Sequence, residues 1–470
     1  MPIPVINIAQ MRAWEKATWA SGQTEAEIIR RVGKRIARRA RKLTAADDFI
    51  LILAGKGHNG DDARAAKPHL DGRKVKVLEL LLPASDVVKV EMVLREKPAL
   101  VIDGIFGIGL NRPLGEAWQK IIAAVNAAKL PVLSVDVPSG LNAETGENFG
   151  AVIEARVTLT VGAPKIGLLS PAAWPSVGRL DVADDVGFIP SSAKSELNWV
   201  LPGDFENFPP PRMIAGHKGT FGHAVIIAGS FGYHGAGVLT THGAQRAQPG
   251  LVTLFTQPEV YVPVAAQLSA AMVSVWKPET QLPENATAIL IGPGLATLKD
   301  SGELKNFTRQ LWREAKMPLI VDASALDLLA GENFPQDAIR VLTPHPGEAA
   351  RLLETTAEKV QANRVQSLRD ISKKFGGCQV VLKGSQTLAG RATGDILVNS
   401  SGNPHLAQGG SGDLLAGFIT GLLAQPALQR DASKTIGYAV WQHGATADKL
   451  SATRANWTIE DLAAEIGNKI

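Results

Sequence analysis

Two kinds of segment alternate along the chain. "NIAQMRAWEKATWASG" opens with the spacing of a capping box, Asn7 and Gln10, which predicts a helix running to about Gly22. In the next stretch Ile29, Val32, Ile36, Ala40 and Leu43 recur at helical spacing, predicting a second helix over residues 25–42. Short apolar runs then take over: "FILILAG", "KVKVLELLL", "ALVIDGIFG" and "PVLSVDVPSG". Between them lie helical patterns over residues 61–70, after Ser85 and after Pro113. Strands alternating with helices predict a parallel sheet covered on both faces, an α/β fold.

The alternation stops in the polar, proline-rich residues 189–212, which read as a linker, and then restarts. "HAVIIAGS", "LVTLFT", "AILIGPG", "PLIVDASA", "IRVLTPHPGE" and "CQVVLKG" read as strands. Helical patterns lie over "GAGVLTTHGAQRAQ", "NFTRQLWREAK" and residues 414–423. Two α/β domains are therefore expected, at residues 1–205 and 206–470, as suits a chain of 470 residues.

In parallel α/β sheets ligands bind beyond the carboxyl ends of the strands, and the unusual motifs of the second half sit there. "AGSFGYHGAG", "IGPGLA", "TPHPGE" and "LKGSQT" each follow a strand, and "GGSGD" opens the helix over residues 414–423. Singly each is weak: Gly-Pro-Gly is a common turn, and His345 between two prolines suits a surface loop. Together they offer backbone donors and, among their side chains, a lysine (Lys383), a histidine (His345) and an aspartate (Asp413). Asp413 is either a plain helix cap or a carboxylate facing a phosphate held at the helix start. In the second case Lys383 supplies a cation to a polyphosphate and Asp413 takes a hydroxyl proton as general base.

In the first half "AGKGHNGDDA" is a glycine-rich loop between strand and helix, and alone a poor dinucleotide fingerprint. Asp103, Asp136 and Ser139 stand at other strand ends. With Asn59 their oxygens suit either capped helices or a hard monovalent cation.

Composition narrows the partners. Charged residues make up 20% and the net charge is +4, too weak to imply nucleic acid. The basic run over residues 30–42 reads as the solvated face of the second helix. A single cysteine, Cys378, excludes internal disulfides and a Cys-rich metal site and reads as buried. No apolar run reaches the ~18 residues of a membrane span, and the first residues lack a signal pattern, so a cytoplasmic, membrane-free protein is expected.

"HKGTFG", "AGSFGYHGAG", "IGPGL", "TPHPGEAARLL", "LKGSQT" and "GNPHLAQGGSGDLLAG" occur in order from His217 to Gly417. They resemble the ADP- or ATP-dependent NAD(P)H-hydrate dehydratase family, which implies a ribokinase-like fold. The resemblance implies hydrated NADH or NADPH as substrate, phosphorylated on its C6 hydroxyl by ADP or ATP with Mg2+ and then relieved of phosphate. By that likeness Ala236, Gly294, His345 and Asp413 touch the hydrate. Lys383, Gly384, Ser385, Gln386, Thr387 and Gly412 hold the nucleotide. Ala296 stands where the family often carries Gly or Ser. A ribokinase-like small-molecule kinase would use the same helix start and aspartate, but has no need of "TPHPGE" or of the fused first half.

"IAQMRAWEKA", "DGIFGIGL", "DVPSGLNAETG" and "GAPKIGLLSP" resemble the NAD(P)H-hydrate epimerase domain, implying a Rossmann-like three-layer sandwich. That likeness implies potassium on Asn59, Asp103 and Ser139, and Asp136 as acid/base between R and S hydrates. It places the hydrate against His58, Asn59, Gly60, Asp61, Asp62, Asp136 and the loop Gly107, Ile108, Gly109, Leu110, Asn111, Arg112 and Pro113. The family loop reads G-x-G-N-N-G-G-D-G, so His58, Asp61 and Ala63 depart from it. Asp61 and Ala63 are expected to repel and crowd a pyrophosphate, leaving open whether this half is an active epimerase or a binding module. A homo-oligomer is expected.

Overall fold

The computed structural model describes residues 2–298, 301–331, 333–334 and 337–469. The chain divides into two compact units, Ile3–Glu196 and Leu197–Ile470. The first contains a short strand β1 (Ile3–Pro4) and the strands β2 (Phe49–Ala54), β3 (Lys74–Glu79), β4 (Leu100–Gly104), β5 (Val132–Val135), β6 (Val157–Val161) and β7 (Arg179–Ala183). The last six form a wholly parallel sheet in the order β3-β2-β4-β5-β6-β7.

Alternation within β2 makes the sandwich. Ile50 and Ile52 point to one face, where they pack with Ile28, Val32, Ile36 and Ala40 of the helix Glu25–Arg41. Leu51 and Leu53 join Val90 and Val93 of Pro83–Leu94 and Ile121 and Ile122 of Glu116–Ala127 on the other. Every one of these side chains is buried, and fully burying a Leu or Ile is worth about 1.5–3 kcal/mol. The sequence pattern had named Ile29 on the helix 25–41 stripe; Ile28 takes that place, because it completes the i, i+4, i+8 row with Val32 and Ile36. The capping box on Ile8–Ala20 forms as expected, Asn7 and Gln10 bonding reciprocally at 2.7 and 2.9 Å.

The second unit holds β8 (Leu197–Trp199), β9 (His223–Ile227), β10 (Leu251–Thr256), β11 (Met272–Val275), β12 (Ala288–Ile291), β13 (Leu319–Val321), β14 (Arg340–Leu342), β15 (Gln379–Leu382), β16 (Leu388–Gly390) and β17 (Ile396–Val398). Their order is β8-β17-β16-β15-β14-β13-β12-β9-β10-β11. Pairing is parallel except where β16 runs against β15 and β17. Strand β8 comes from the stretch read as a linker and pairs with β17, so the boundary drawn at 205/206 lies inside the second unit. Alternating apolar residues in "LNW" are too few to announce a strand; the open edge of β17 recruits them.

Helices His234–Arg246 and Ser411–Leu423 pack backbone to backbone on this sheet. A methyl on Gly417 would stand 1.9 Å from the Thr240 carbonyl oxygen, and one on Gly421 2.3 Å from that of Ala244. The apolar run of the last motif is thus a buried helix whose glycines permit the close approach, and this fixes where its first turn lies.

Candidate active sites at the strand carboxyl ends

Because β15, β14, β13, β12 and β9 are adjacent and parallel, the loops that follow them line one edge of the sheet. After β9, the Ser230 hydroxyl donates to the Gly294 carbonyl at 2.6 Å. After β12, Gly294 has a φ of 66°, and a methyl there would lie 2.7 Å from Ala236 Cβ. Ala236 and Gly294 are therefore neighbours, the first turn of His234–Arg246 meeting a loop far away in sequence.

After β14, His345 caps the helix Pro346–Leu353: its Nδ1 accepts from the Gly347 and Glu348 amides at 3.0 and 3.3 Å. Glu348 closes the box by accepting from the His345 amide at 2.8 Å. After β15, Lys383 is tied to the β14 loop by its amide, which donates to the Pro344 carbonyl at 2.9 Å. The next turn is tight, with Gly384 at φ 131° and the Thr387 hydroxyl donating back to the Gly384 carbonyl at 2.9 Å. Buried Arg364 supports it from beneath, donating to the Leu382 and Lys383 carbonyls at 3.1 and 3.4 Å.

The Lys383 ammonium, only 18% exposed, meets Asp322 at 2.9 Å and Glu348 at 3.8 Å. It also lies 3.3 Å from the place a methyl on Gly412 would take. Burial pushes its pKa down, but the carboxylates Asp322 and Glu348 more than offset that and the pKa is raised. Asp413, in the first turn of Ser411–Leu423, makes no side-chain hydrogen bond with any described residue, so it is not acting as a helix cap. Burial, with Asp322 and Glu348 adding to it against Lys383, lifts its pKa to about 6. Beside it the Ser411 hydroxyl lies 3.5 Å from Nε2 of buried His443, which burial keeps neutral, with a pKa near 4. A raised carboxyl next to a paired ammonium at a helix N-terminus can take a proton near neutral pH and hold an anion.

The signal for Asp322 was present in "IVDASA", an aspartate directly after a strand as at Asp136. Glu348 lay within "TPHPGE", three residues past His345 and at the spacing of a capping box, whereas His443 had no such signal, because only the fold brings its helix to this edge. Cys378 is buried as expected, with its thiol pushed up by burial.

In the first unit the chain order turns at β2 and β4: β3 lies to one side of β2 and β4 to the other, a topological switch point. Asn59, in the helix His58–Ala65 that follows β2, donates to the Phe106 carbonyl at 2.8 Å beyond β4. Asp103 is fully buried and accepts from the Ser134 hydroxyl, the Ser139 hydroxyl and amide, and the Ile105 amide. Burial raises its pKa, and no basic side chain among the described residues pairs with it. The Phe106 carbonyl links Asn59, through its amide nitrogen, to the Ser139 hydroxyl, which in turn meets buried Asp103, so the oxygens of Asp103, Ser139 and Phe106 lie together with Asn59 beside them. That chemistry fits a hard monovalent cation.

Asp136 follows β5 at φ 64°, a conformation held by bonds to its Oδ1 from the Val161 amide at 2.9 Å, the Thr160 hydroxyl at 3.1 Å and the Lys165 ammonium. Lys165 is wholly buried. It was not singled out in "GAPKIG", where a lone lysine among apolar residues carries no spacing signal. Asp62, near Asp136, has its pKa raised, first by burial and then by Asp136 and Asp61.

The glycine-rich loop differs from expectation. Ala63 is buried, and a methyl on Gly104 would stand 2.3 Å from its Cβ, so it packs beneath the loop and cannot crowd a ligand. Asp61 is paired with Arg64 at 2.6 Å, which offsets much of its charge. His58 is 80% exposed and meets Glu25 at 2.9 Å. The helix also begins at His58 rather than Asp61 and ends at Ala65, followed by a single tighter turn at Lys67–His69. Gly107 lies against the Asn59 side chain, Ile108 packs beside Ile6, Met11 and Ala163, and the loop then becomes exposed through Asn111, Arg112 and Pro113. No cluster of three or more His, Cys, Asp or Glu side chains stands in metal-holding geometry among the described residues. No helix among them is long and apolar enough to cross a membrane.

The second unit, a largely parallel sheet with charged and glycine-rich loops along its carboxyl edge, has a ribokinase-like fold. It resembles a ribokinase-like superfamily protein from Enterococcus faecalis, 28% identical with a TM-score of 0.51, over 59% of this chain and 97% of that one. Residues 224–470 match the NAD(P)H-hydrate dehydratase family and residues 83–167 the YjeF-related protein N-terminus. Bifunctional NAD(P)H-hydrate repair enzymes are similar over nearly the whole chain. That of Coxiella burnetii is 32% identical over 94% of both chains, and that of Gloeobacter violaceus 33% identical over 95% of this chain and 94% of its own. The chain belongs to the bifunctional NAD(P)H-hydrate repair family.

Proposed function

We propose that this chain returns hydrated NADH and NADPH to their usable forms, its second unit as an ADP- or ATP-dependent dehydratase and its first as an R/S epimerase. The observation that carries the reading is Asp413: a carboxylate without a hydrogen bond to any described residue, its pKa lifted to about 6, in the first turn of a helix beside the Lys383 ammonium.

In this reading Asp413 takes the proton of the hydrate's C6 hydroxyl. The first amides of Ser411–Leu423 and Lys383 stabilise the negative charge of the phosphoryl group in transfer. The nucleotide, with Mg2+, supplies that group and so makes the hydroxyl a leaving phosphate. Ala236 and Gly294 would contact the hydrate with His345 at the rim. Residues 383–387 and Gly412 would hold the nucleotide, and the tight Gly384–Thr387 turn supports that assignment.

In the first unit Asp136 would move the proton between hydrate epimers, with Lys165 holding its Oδ1. Asn59, Asp103 and Ser139 would hold K+, which would supply the positive charge that buried Asp103 lacks. The loop at residues 58–62 and that at 107–113 would flank the hydrate at the switch point. Exposed Leu81, Leu82, Val88 and Met92 on and before the helix Pro83–Leu94 support the expected homo-oligomer, which light scattering tests. The expected cytoplasmic location is part of the same proposal.

Separated R and S hydrates, supplied with ADP or ATP, test the whole. Return of nicotinamide absorbance from the S form requires nucleotide and the second unit. Return from the R form at a comparable rate requires the first unit as well. No return from S hydrate with either nucleotide refutes the dehydratase.

A further inference from the structure

We propose that Asp322 is a positioning residue for the dehydration step: it anchors Lys383 against the helix start and, as a neighbouring negative charge, tunes Asp413 as a base. This rests on the reading of Asp413 as the base.

Asp322 stands where the two halves of the site meet. Directly after β13, it is almost fully buried. Its Oδ1 accepts from the Lys383 ammonium at 2.9 Å and from the Thr343 hydroxyl at 2.7 Å. Its main chain supports the other side, since a methyl on Gly292 would stand 1.8 Å from the Asp322 carbonyl oxygen. The same residue therefore touches the loop with Lys383 and the Gly-Pro-Gly loop that carries Gly294. Ala323, next in the chain, is held at φ 51°, so the backbone here keeps a conformation unusual for alanine.

Charge gives the arrangement its consequence. Asp413 is faced by Asp322 from the β13 loop, Glu348 from the helix Pro346–Leu353 and Lys383 from the β15 loop. On its own helix Ser411 meets His443 of Ala432–Thr453, which is neutral. Two carboxylates, Asp322 and Glu348, thus pair with the one ammonium, which sits closest to Asp322 and acts on Asp413 from beyond pairing distance. An ammonium engaged there neutralises Asp413 only in part. Asp413 then keeps enough proton affinity to accept a hydroxyl proton, while Lys383 stays beside Gly412, where the phosphoryl group would arrive.

Asp322→Asn removes one repelling charge from Asp413 and loosens Lys383. The acid limb of kcat for S-hydrate dehydration should move to lower pH by about one unit, and the KM for nucleotide should change several-fold. Asp322→Glu, which keeps the charge, should retain the wild-type limb. Glu348→Gln removes a second facing charge without changing side-chain shape. It should move the limb the same way by less, and it stands in if Asp322→Asn does not fold. An unmoved acid limb in folded Asp322→Asn, or in Glu348→Gln if that variant alone folds, overturns the proposal. Failure of the base reading looks different: Asp413→Asn would then keep turnover with its acid limb intact.

Discussion

Replacing Asp413 with asparagine separates what the carboxylate costs the fold from what it does in the reaction. The folded chain holds a proton on Asp413 up to about pH 6, whereas an ordinary aspartate releases it near 3.8. Between those values the folded state binds more protons than the unfolded one, so stability falls as pH rises from about 4 to about 6. Above pH 6 the full cost is present, at most about 3 kcal/mol at about 1.4 kcal/mol per pH unit, with partial exposure reducing it. Asparagine has no charge to bury, and Lys383 keeps Asp322 and Glu348 as partners, so the change strands no cation. The variant should therefore be more stable than wild type by about 1–3 kcal/mol at pH 8 and equal to it near pH 4. For a unit of this size that is about 2–4 °C in Tm per kcal/mol. It should also lose dehydration by several orders of magnitude while still binding nucleotide, because the base acts only in the chemical step. Thermal unfolding of the full chain at both pH values, beside single-turnover dehydration, reads both effects. A stability difference that does not grow with pH, or near wild-type turnover, would refute the reasoning.

Lys383→Ala should weaken nucleotide binding and leave Asp322 and Glu348 without their cation; unchanged affinity on titration would move the nucleotide site elsewhere. Lys165→Met breaks a buried pair and strands Asp136, which should cost about 3–5 kcal/mol and abolish R-hydrate consumption, read by urea unfolding and by the epimerase assay. With the second unit silenced by Asp413→Asn, His58→Asn with Asp61→Gly should raise epimerase turnover by removing one negative charge. Ala63→Gly should add nothing to that rate and lower stability by about 1 kcal/mol, since the methyl lies in the core and the residue in a helix. Equal turnover in wild type and double variant would mean that the Arg64 pair already neutralises Asp61.

Period-two alternation in "FILILA" and the capping box at Asn7 depend on neighbours a few residues away, and such local patterns were legible in the sequence. So were the glycine loops and Asp413, because strand ends and helix starts are marked by nearby residues. Strand β8 was not, since three residues carry no period and only the open edge of β17 makes them a strand. Ala63 was misread for a related reason: its contact is Gly104, on the next strand of the sheet, so sequence could not tell core from ligand surface. The buried ion pairs at the two candidate sites join residues separated by whole elements, Lys165 with Asp136 and Lys383 with Asp322. Sequence alone determined which strand-end loops carry ionisable side chains. Tertiary structure decided which charge faces which, because Coulomb energy depends on distance in space and on burial, and neither can be read from separation along the chain.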